Sequence, residues 1–519
     1  MSERATPAQI QAAPVSLSAA ARFSFVQIRK AWPALVLCAA AVVAQAILGT
    51  STDVSWLTTL CEKMLDGQRP YVDVIESNPP AAFLIYMPAV LAARAIGVAP
   101  EFMIGLFGFS AIGASVGLCT LILSRAGLAH RFGPGGLVLV LVVLAVLPGA
   151  VFDQREHLAL AAGLPLLATL AARASSAEVG LALRVVAGLG AAIMASIKPY
   201  FALMIIATLP YLGWRIGLKG LVASLELYST AIFGAFSVAA VFAFFPAYLD
   251  KVAPLVAAIY LPQRQSWLTL ATNPGLLCWL VLGRYVILLG RDRLGDPLVA
   301  IPGLASLGAV AAFLLQGKGW PYQVYPAVAL IALALGPLIS KTPQATRQHR
   351  LLALPAICAG TLVIAFGYFC NLPRQDSAAL ERLVASVAPH PKIVVIGSDI
   401  ALGHPLTRNV GGVWVGTFPF LWITDTIYFW REQGKLDSAA EARYAPFLRY
   451  DRETLVADID GKKPDAILIA DDNWKGWAFS HTDLAAALAD YTPVGAVGEV
   501  TVYGRKLGLR RLNSDNDPP

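Results

Sequence analysis

Charge is what this sequence has least of. Asp, Glu, Lys and Arg make up 14% of its 519 residues, where a soluble domain carries about 25%. That excludes an ordinary soluble globular chain. The six cysteines stand singly, mostly inside apolar runs, and no CxxC or comparable spacing occurs. They read as small apolar residues and not as metal ligands; a bridge between Cys61 and Cys370, both near membrane ends, is the one disulfide considered. No internal repeat is evident, nor any low-complexity segment beyond the Ala/Gln/Ser-rich amino terminus. The stretch "VIGSDIALG" lacks the GxGxxG phosphate fingerprint, which argues against a nucleotide site there.

What is present is hydrocarbon. Apolar residues make up 57% of the chain and the mean hydropathy is +0.63. Long apolar runs recur from Ala31 to Cys370 and then stop. The first, "AWPALVLCAAAVVAQAILG", is close to the roughly 20 residues of a spanning helix and longer than a signal core. It reads as an uncleaved span with its amino end in the cytoplasm. About eleven such runs are expected to cross the membrane. Ala81–Gly97 reads instead as a helix lying along the membrane surface. With that assignment Arg125, Arg131, Arg173, Arg184, Arg215, Lys219, Arg291, Arg293, Lys341, Arg347 and Arg350 all fall on the inner side, as the positive-inside rule requires. The net charge of +7 is thus topological and does not point to nucleic acid.

Three parts follow: a cytoplasmic segment 1–30, a polytopic α-helical domain 31–370 and a periplasmic α/β domain 371–519. In the tail "PKIVVIGSD" and "KPDAILIADD" read as buried strands. "SAALERLVASVA" and "HTDLAAALADY" read as helices, and "VGEVTVYGRK" as an edge strand.

The remaining polar residues gather in the outer loops. Asp53 lies just past the first span, where partial desolvation suits a general base; the alternative is a helix cap at Ser51, Thr52 or Asp53. "GQRPYVDVIESNPP" supplies Arg69, Asp73 and Glu76, either for a substrate or simply to hydrate a loop. "FDQREHL" packs Asp153, Arg155, Glu156 and His157 between two spans. Arg155 presents a fork suited to phosphate, and His157 has too few partners for a metal. Lys198 in "IKPY" and Lys318 in "QGKGWPYQVYP", the latter followed by Tyr322, stand at outer helix ends. They read either as snorkelling anchors in an aromatic belt or as fixed charge for a lipid-linked phosphate.

A first span followed by an Asp, then an outer loop reading G-x-x-P-Y-x-D and a proline pair, resembles the GT-C superfamily. These integral membrane glycosyltransferases use polyprenyl-phosphate sugars and include the protein O-mannosyltransferases and the lipid A aminoarabinose transferase. "IKPY" and "KGWPYQVYP" resemble pieces of its bacterial members, and the likeness covers roughly Ala31 to Pro326. It implies a GT-C-like bundle with juxtamembrane helices and Asp53 as the catalytic carboxylate. It also implies donor-phosphate binding by Arg155, Lys198 and Lys318. Asp73, Glu76, Asp153, His157 and Tyr322 would contact substrate. Where many relatives carry an acidic pair this chain reads "DV", and where others carry His it has Gln323.

The expected function is therefore transfer of a sugar from a polyprenyl-phosphate donor to an envelope lipid, glycan or protein acceptor. It would take place at the periplasmic face of a bacterial inner membrane, with no cofactor or metal indicated. The rivals are a flippase of lipid-linked sugars, which would carry its charges at the midplane in matching halves, and a non-catalytic envelope-assembly subunit.

Overall fold

The computed structural model describes residues 25–339, 350–371 and 377–506. The amino-terminal segment as far as residue 24 and the anchors Lys341 and Arg347 lie outside the described residues.

Helices dominate because apolar sequence in a bilayer must satisfy its backbone internally. The chain opens with α1 (Phe25–Leu48), α2 (Thr52–Leu65), α3 (Ala81–Leu84) and α4 (Met87–Ile96). It continues through α5 (Pro100–Arg125), α6 (Gly133–Leu141), α7 (Arg155–Ala174) and α8 (Leu181–Ile197). Next come α9 (Ala202–Ile206), α10 (Leu209–Val222), α11 (Leu225–Phe244), α12 (Ala253–Leu255) and α13 (Trp267–Ala271). The bundle closes with α14 (Pro274–Leu289), α15 (Pro297–Gln316), α16 (Pro321–Ala334), α17 (Gly336–Ile339) and α18 (Arg350–Cys370). Proline in the first turn, where its missing N–H costs nothing, starts α5, α14, α15 and α16. Asn273 and Asp296 cap α14 and α15 by accepting backbone N–H bonds.

All eleven apolar runs are helical, yet the expected count of spans is not reached by length. Among the described residues five helices are long and apolar enough to cross a membrane, or up to seven if each of two bent pairs is one span. Those pairs are α1 with α2, bent by 78°, and 199–206 with α10, bent by 62°. Three of the eleven runs give helices of only 10–17 residues, at or below the lower end of the ~17–25 that a span needs. Ala81–Gly97 divides into α3 and α4, of which α4 is a 10-residue helix, too short to cross. The central elements are α7 and the α16–α17 segment, 89% and 94% buried, whereas α11 at 6% faces outward. At one end of the bundle the buried Glu226 joins α7, α8 and α11 by accepting from Arg173 and from Arg184 Nε at 2.7 Å.

The tail begins with α19 (Ser377–Ala385) and builds one five-stranded sheet. Its strands are β1 (Lys392–Ile396), β2 (Val413–Trp414), β3 (Ala466–Ile469), β4 (Tyr491–Val497) and β5 (Val500–Arg505), in the order β2-β1-β3-β5-β4. β1 is parallel to β2 and β3, and β5 is antiparallel to β3 and β4. "VGEVTVYGRK" is therefore not an edge strand: β5 lies between β3 and β4. The edge role falls to β4, whose Pro493 and adjacent bulge suit an unpaired flank. The turn that makes this hairpin is Gly498–Glu499, with Gly498 at φ +59°, a conformation that favours glycine. Connecting helices are α20 (Leu406–Asn409), α21 (Trp422–Glu432), α22 (Ser438–Lys462), α23 (Asp472–Ser480) and α24 (Thr482–Ala487).

Tail and bundle share one apolar core, running from Trp56, Leu60 and Phe83 through Ile259 to Trp414 and Trp422. His404 is sandwiched between Trp56 and Trp414, with ring centroids at 5.2 and 4.7 Å. Arg408 reaches from the tail to Glu62 of α2 and Glu101 of α5, and Ile75 N donates to Thr417 O at 2.8 Å. Cys61 and Cys370 do not form the disulfide considered, and Cys61 donates to Phe83 O.

Candidate active site

Two helix amino termini meet beneath the docked tail. Ser51 precedes α2 and Gln154 precedes α7, and Gln154 Nε2 donates to Ser51 Oγ at 2.9 Å. Ser51 makes no side-chain cap to its own helix, so the capping role weighed for 51–53 is not how these side chains are spent. Each terminus presents the positive end of a helix dipole and unpaired N–H groups, an arrangement suited to anions.

The charged residues sit in those first turns. Asp53 is in the first turn of α2, and Arg155 and Glu156 open α7. Arg155 Nη2 stands 3.7 Å from Asp53 Oδ2, the Arg side chain 5% exposed and the Asp 21%. Asp53 thus keeps a partly open face while its cationic partner is buried. Lys198, in extended conformation just past α8, donates from Nζ to Glu156 Oε1 at 2.6 Å and reaches Gln316 Oε1 at 3.4 Å. Its ammonium lies 5.5 Å from the Tyr322 ring centroid. Gln323 Nε2 completes the connection by donating to Gln316 Oε1 at 3.2 Å. Asp53, Glu76, Arg155, Glu156 and Lys198 lie within electrostatic reach of one another.

Glu76 is buried at 3% exposure and accepts Trp56 Nε1 at 2.6 Å, Asn78 N at 2.8 Å and Asn78 Nδ2. Its neighbour Asp73 does not join it. Asp73 pairs with Arg69 at the surface (3.2 Å), and the Arg69 hydrogen bonds hold its carboxyl below the usual range.

Asp153 and His157 are also turned elsewhere. Asp153 adopts φ +60°, and its carboxylate fills the space where Gly108 of α5 lacks a side chain, so that a Cβ there would overlap Oδ1. His157 accepts Asp153 N at Nδ1 (3.1 Å) and meets Leu144 O at Nε2 (2.8 Å). A neutral ring with the proton on Nε2 satisfies both bonds. Lys318 borders the cluster through Tyr260, its Nζ lying 4.1 Å from that ring centroid and donating to Tyr260 O and Gln263 O. Burial and the nearby Arg264 pull its ammonium down to about 7.

The sequence reading passed over Glu156, Gln316, Gln323 and Tyr260 as site residues. Glu156 is fully buried and carries the ion pair with Lys198. Its Oε2, Arg155 Nε and Gln323 Oε1 find no partner among the described residues. Buried polar atoms are normally paired, so a half-satisfied network at one spot marks a place for further polar atoms.

No family model matches the chain, and no curated protein matches it in sequence. In fold it is similar to ArnT from Cupriavidus metallidurans bound to undecaprenyl phosphate. That likeness has a TM-score of 0.57 at 12% identity, covering 91% of this chain and 98% of that one. The apo structure of the same protein gives 0.56 at 12% identity, with 92% and 98% covered. The chain therefore shares its fold with that ArnT structure, and the likeness extends beyond the expected Ala31–Pro326 into the tail.

Proposed function

We propose that this chain transfers a sugar from a polyprenyl-phosphate carrier to an acceptor hydroxyl, at the membrane face where α2 and α7 begin. By the distribution of Arg and Lys that face is the periplasmic one. The observation that carries the reading is the Asp53–Arg155 pair at 3.7 Å, open on the Asp side and backed by the buried Glu156–Lys198 pair. The undecaprenyl phosphate bound to the ArnT of similar fold supports the donor class.

The chemistry divides between the two signs of charge. Asp53 takes the proton of the acceptor hydroxyl as its oxygen bonds to the anomeric carbon. The bond from that carbon to the phosphate oxygen breaks, and its electron pair stays on the lipid phosphate. Arg155, Lys198 and the amino terminus of α7 hold the growing negative charge in a buried setting, where fixed dipoles act most strongly. Attack opposite the departing phosphate inverts the anomeric centre. Lys318, with two of its donors held by carbonyls, offers one more to the lipid phosphate. Tyr322 and Glu76 line the sugar side. Asp153 and His157 act through the turn that sets the start of α7 and not by touching substrate, and Asp73 has no part.

The test is a membrane assay with a labelled polyprenyl-phosphate sugar, supplied after the accumulated intermediate of a deletion strain has identified it. Asp53→Asn should bind donor and transfer nothing; full transfer by that variant removes the proposal.

A further inference from the structure

The end of the bundle away from the carboxylate cluster contains a second built space. A cavity of about 250 Å³ lies between α5, α6, α7 and α15. On α5, α7 and α15 its lining lies toward the far end: Leu123 near the end of α5, Ala171 near the end of α7, Leu298 at the start of α15. Ala171 is roughly 24 Å along α7 from Arg155 at the helical rise per residue. Apart from Thr120 and Cys119 the walls are hydrocarbon, and Gly133, Gly136, Ala168 and Ala171 leave the space unfilled.

Its mouth is polar and cationic. A neighbouring cavity of about 420 Å³ is bounded by Arg131, Arg215, Arg293, Asp292 and Asp296. The two spaces adjoin through consecutive residues, Arg131 with Phe132 and Pro297 with Leu298. Three guanidinium groups face two carboxylates. Arg131 pairs with Asp296, yet its Nε is buried and unpartnered among the described residues. Arg293 forms no side-chain ion pair among them. Arg215 lies against the rings of Tyr211 and Trp214, at 6.0 and 5.8 Å, and Trp214 is 73% exposed, as an interfacial anchor is.

We propose that this end of the protein holds one anionic phospholipid of the inner leaflet. One acyl chain lies in the cavity between α5 and α6, and the phosphate lies among Arg131, Arg215 and Arg293. An apolar space of this size left empty costs its walls their dispersion contacts, which an acyl chain restores. Basic pockets at the cytoplasmic ends of spanning helices recognise anionic head groups through the same charges that fix topology. The chain satisfies the walls, the head group satisfies Arg131 Nε and Arg293, and an amphiphile supplies both at once. This lipid is not the reacting one, whose phosphate belongs at the opposite end. The inference does not depend on the transferase reading.

Native mass spectrometry of the full chain, purified in mild detergent and offered phosphatidylglycerol or phosphatidylethanolamine of equal chain length, tests it. The wild type should retain one phosphatidylglycerol at several-fold higher occupancy than phosphatidylethanolamine. Ala171→Phe, which fills the cavity, and Arg293→Glu, which inverts the mouth, should each lower that occupancy at least fivefold. Ala168→Leu serves as a milder filling variant should Ala171→Phe fail to fold. Leu121→Phe, on the outward face of α5, should leave occupancy unchanged, as should Asp53→Asn. Equal retention of the two lipids, no retention by the wild type, or undiminished retention in the filled variants would overturn the proposal. Loss of sugar transfer in Asp53→Asn with lipid retained would keep the two readings separate.

Discussion

Lys198 Nζ rests 2.6 Å from Glu156 Oε1, and the other oxygen of that carboxylate meets no donor among the described residues. Both side chains are buried, at 8% and 0% exposure, so each is the other's compensation. Removing one member of a buried pair typically costs ~3–5 kcal/mol, because the survivor is left as an unpaired charge. Lys198→Ala should therefore lower the thermal stability of the detergent-solubilised protein sharply. Lys198→Ala with Glu156→Ala should recover most of that loss while transferring no sugar. A double variant no more stable than the single one would mean that the pair is not the element holding the two residues.

Asp53 differs from that pair because it keeps contact with solvent at the mouth of the site. Replacement by Asn keeps the shape and removes the proton acceptor. General-base catalysis is worth roughly 10²–10⁴-fold, and turnover of Asp53→Asn should fall by at least the lower figure. Donor binding, read by tritium-labelled lipid retention, should stay within about threefold, since the phosphate is held by Arg155 and Lys198. A variant that loses binding and turnover together would make Asp53 a binding residue and move the base elsewhere.

The bundle was legible because an apolar chain can satisfy a bilayer in few ways, and all eleven runs became helices. Their lengths were less legible, since apolar character alone does not mark where a helix stops: 181–197 ends after 17 residues, where Lys198 turns to extended backbone. In the site, Asp53, Glu76, Arg155 and Lys198 stood out as charges in a sequence with few. Adjacent residues in "FDQREHL" could not be sorted, because that depends on where α7 starts. The helix begins at Arg155, which directs 155 and 156 to the site; the left-handed Asp153 goes to Gly108, and His157 goes to Leu144. The surroundings of Asp73 were hidden for a similar reason: the turn at 69–73 folds Arg69 back onto it. β5 was taken for an edge because β4, interrupted by its proline and bulge, carried no strand pattern.

The contact of Gly108 with Asp153 gives a second structural prediction. Any Cβ at position 108 overlaps the Asp153 carboxylate, so Gly108→Ala must push α5 away from the turn that precedes α7. Overpacking of this kind costs roughly 1–3 kcal/mol, and activity should fall with it because α7 carries Arg155 and Glu156. Asp153→Gly in the same chain removes the obstructing carboxylate and suits the positive φ of that position. The double variant should regain both stability and transfer, measured by thermal melting and by the labelled-donor assay. If Gly108→Ala alone is silent, the α5–α7 contact does not set the site.

The tail carries a pH-dependent element of its own. Asp451 is buried in α22 and accepts Thr424 N at 3.0 Å and Thr424 Oγ1 at 2.6 Å, while its Oδ1 has no partner among the described residues. Burial outweighs these bonds and pushes its carboxyl up to about 6, above the unfolded value of roughly 3.9. The folded state then binds the proton more tightly, so ionisation costs stability. The contribution is fully present below the unfolded pKa and is lost as pH rises through about 6. Asp451→Asn, which keeps an acceptor for Thr424 and never ionises, should match the wild type near pH 4. By pH 7.5 it should be more stable by up to about 3 kcal/mol. Hydrogen exchange of the β1 and β3 amides in the full-length protein, corrected for intrinsic rates, reads this locally. A stability difference that does not change between pH 4 and 7.5 would show that Asp451 does not titrate in that window.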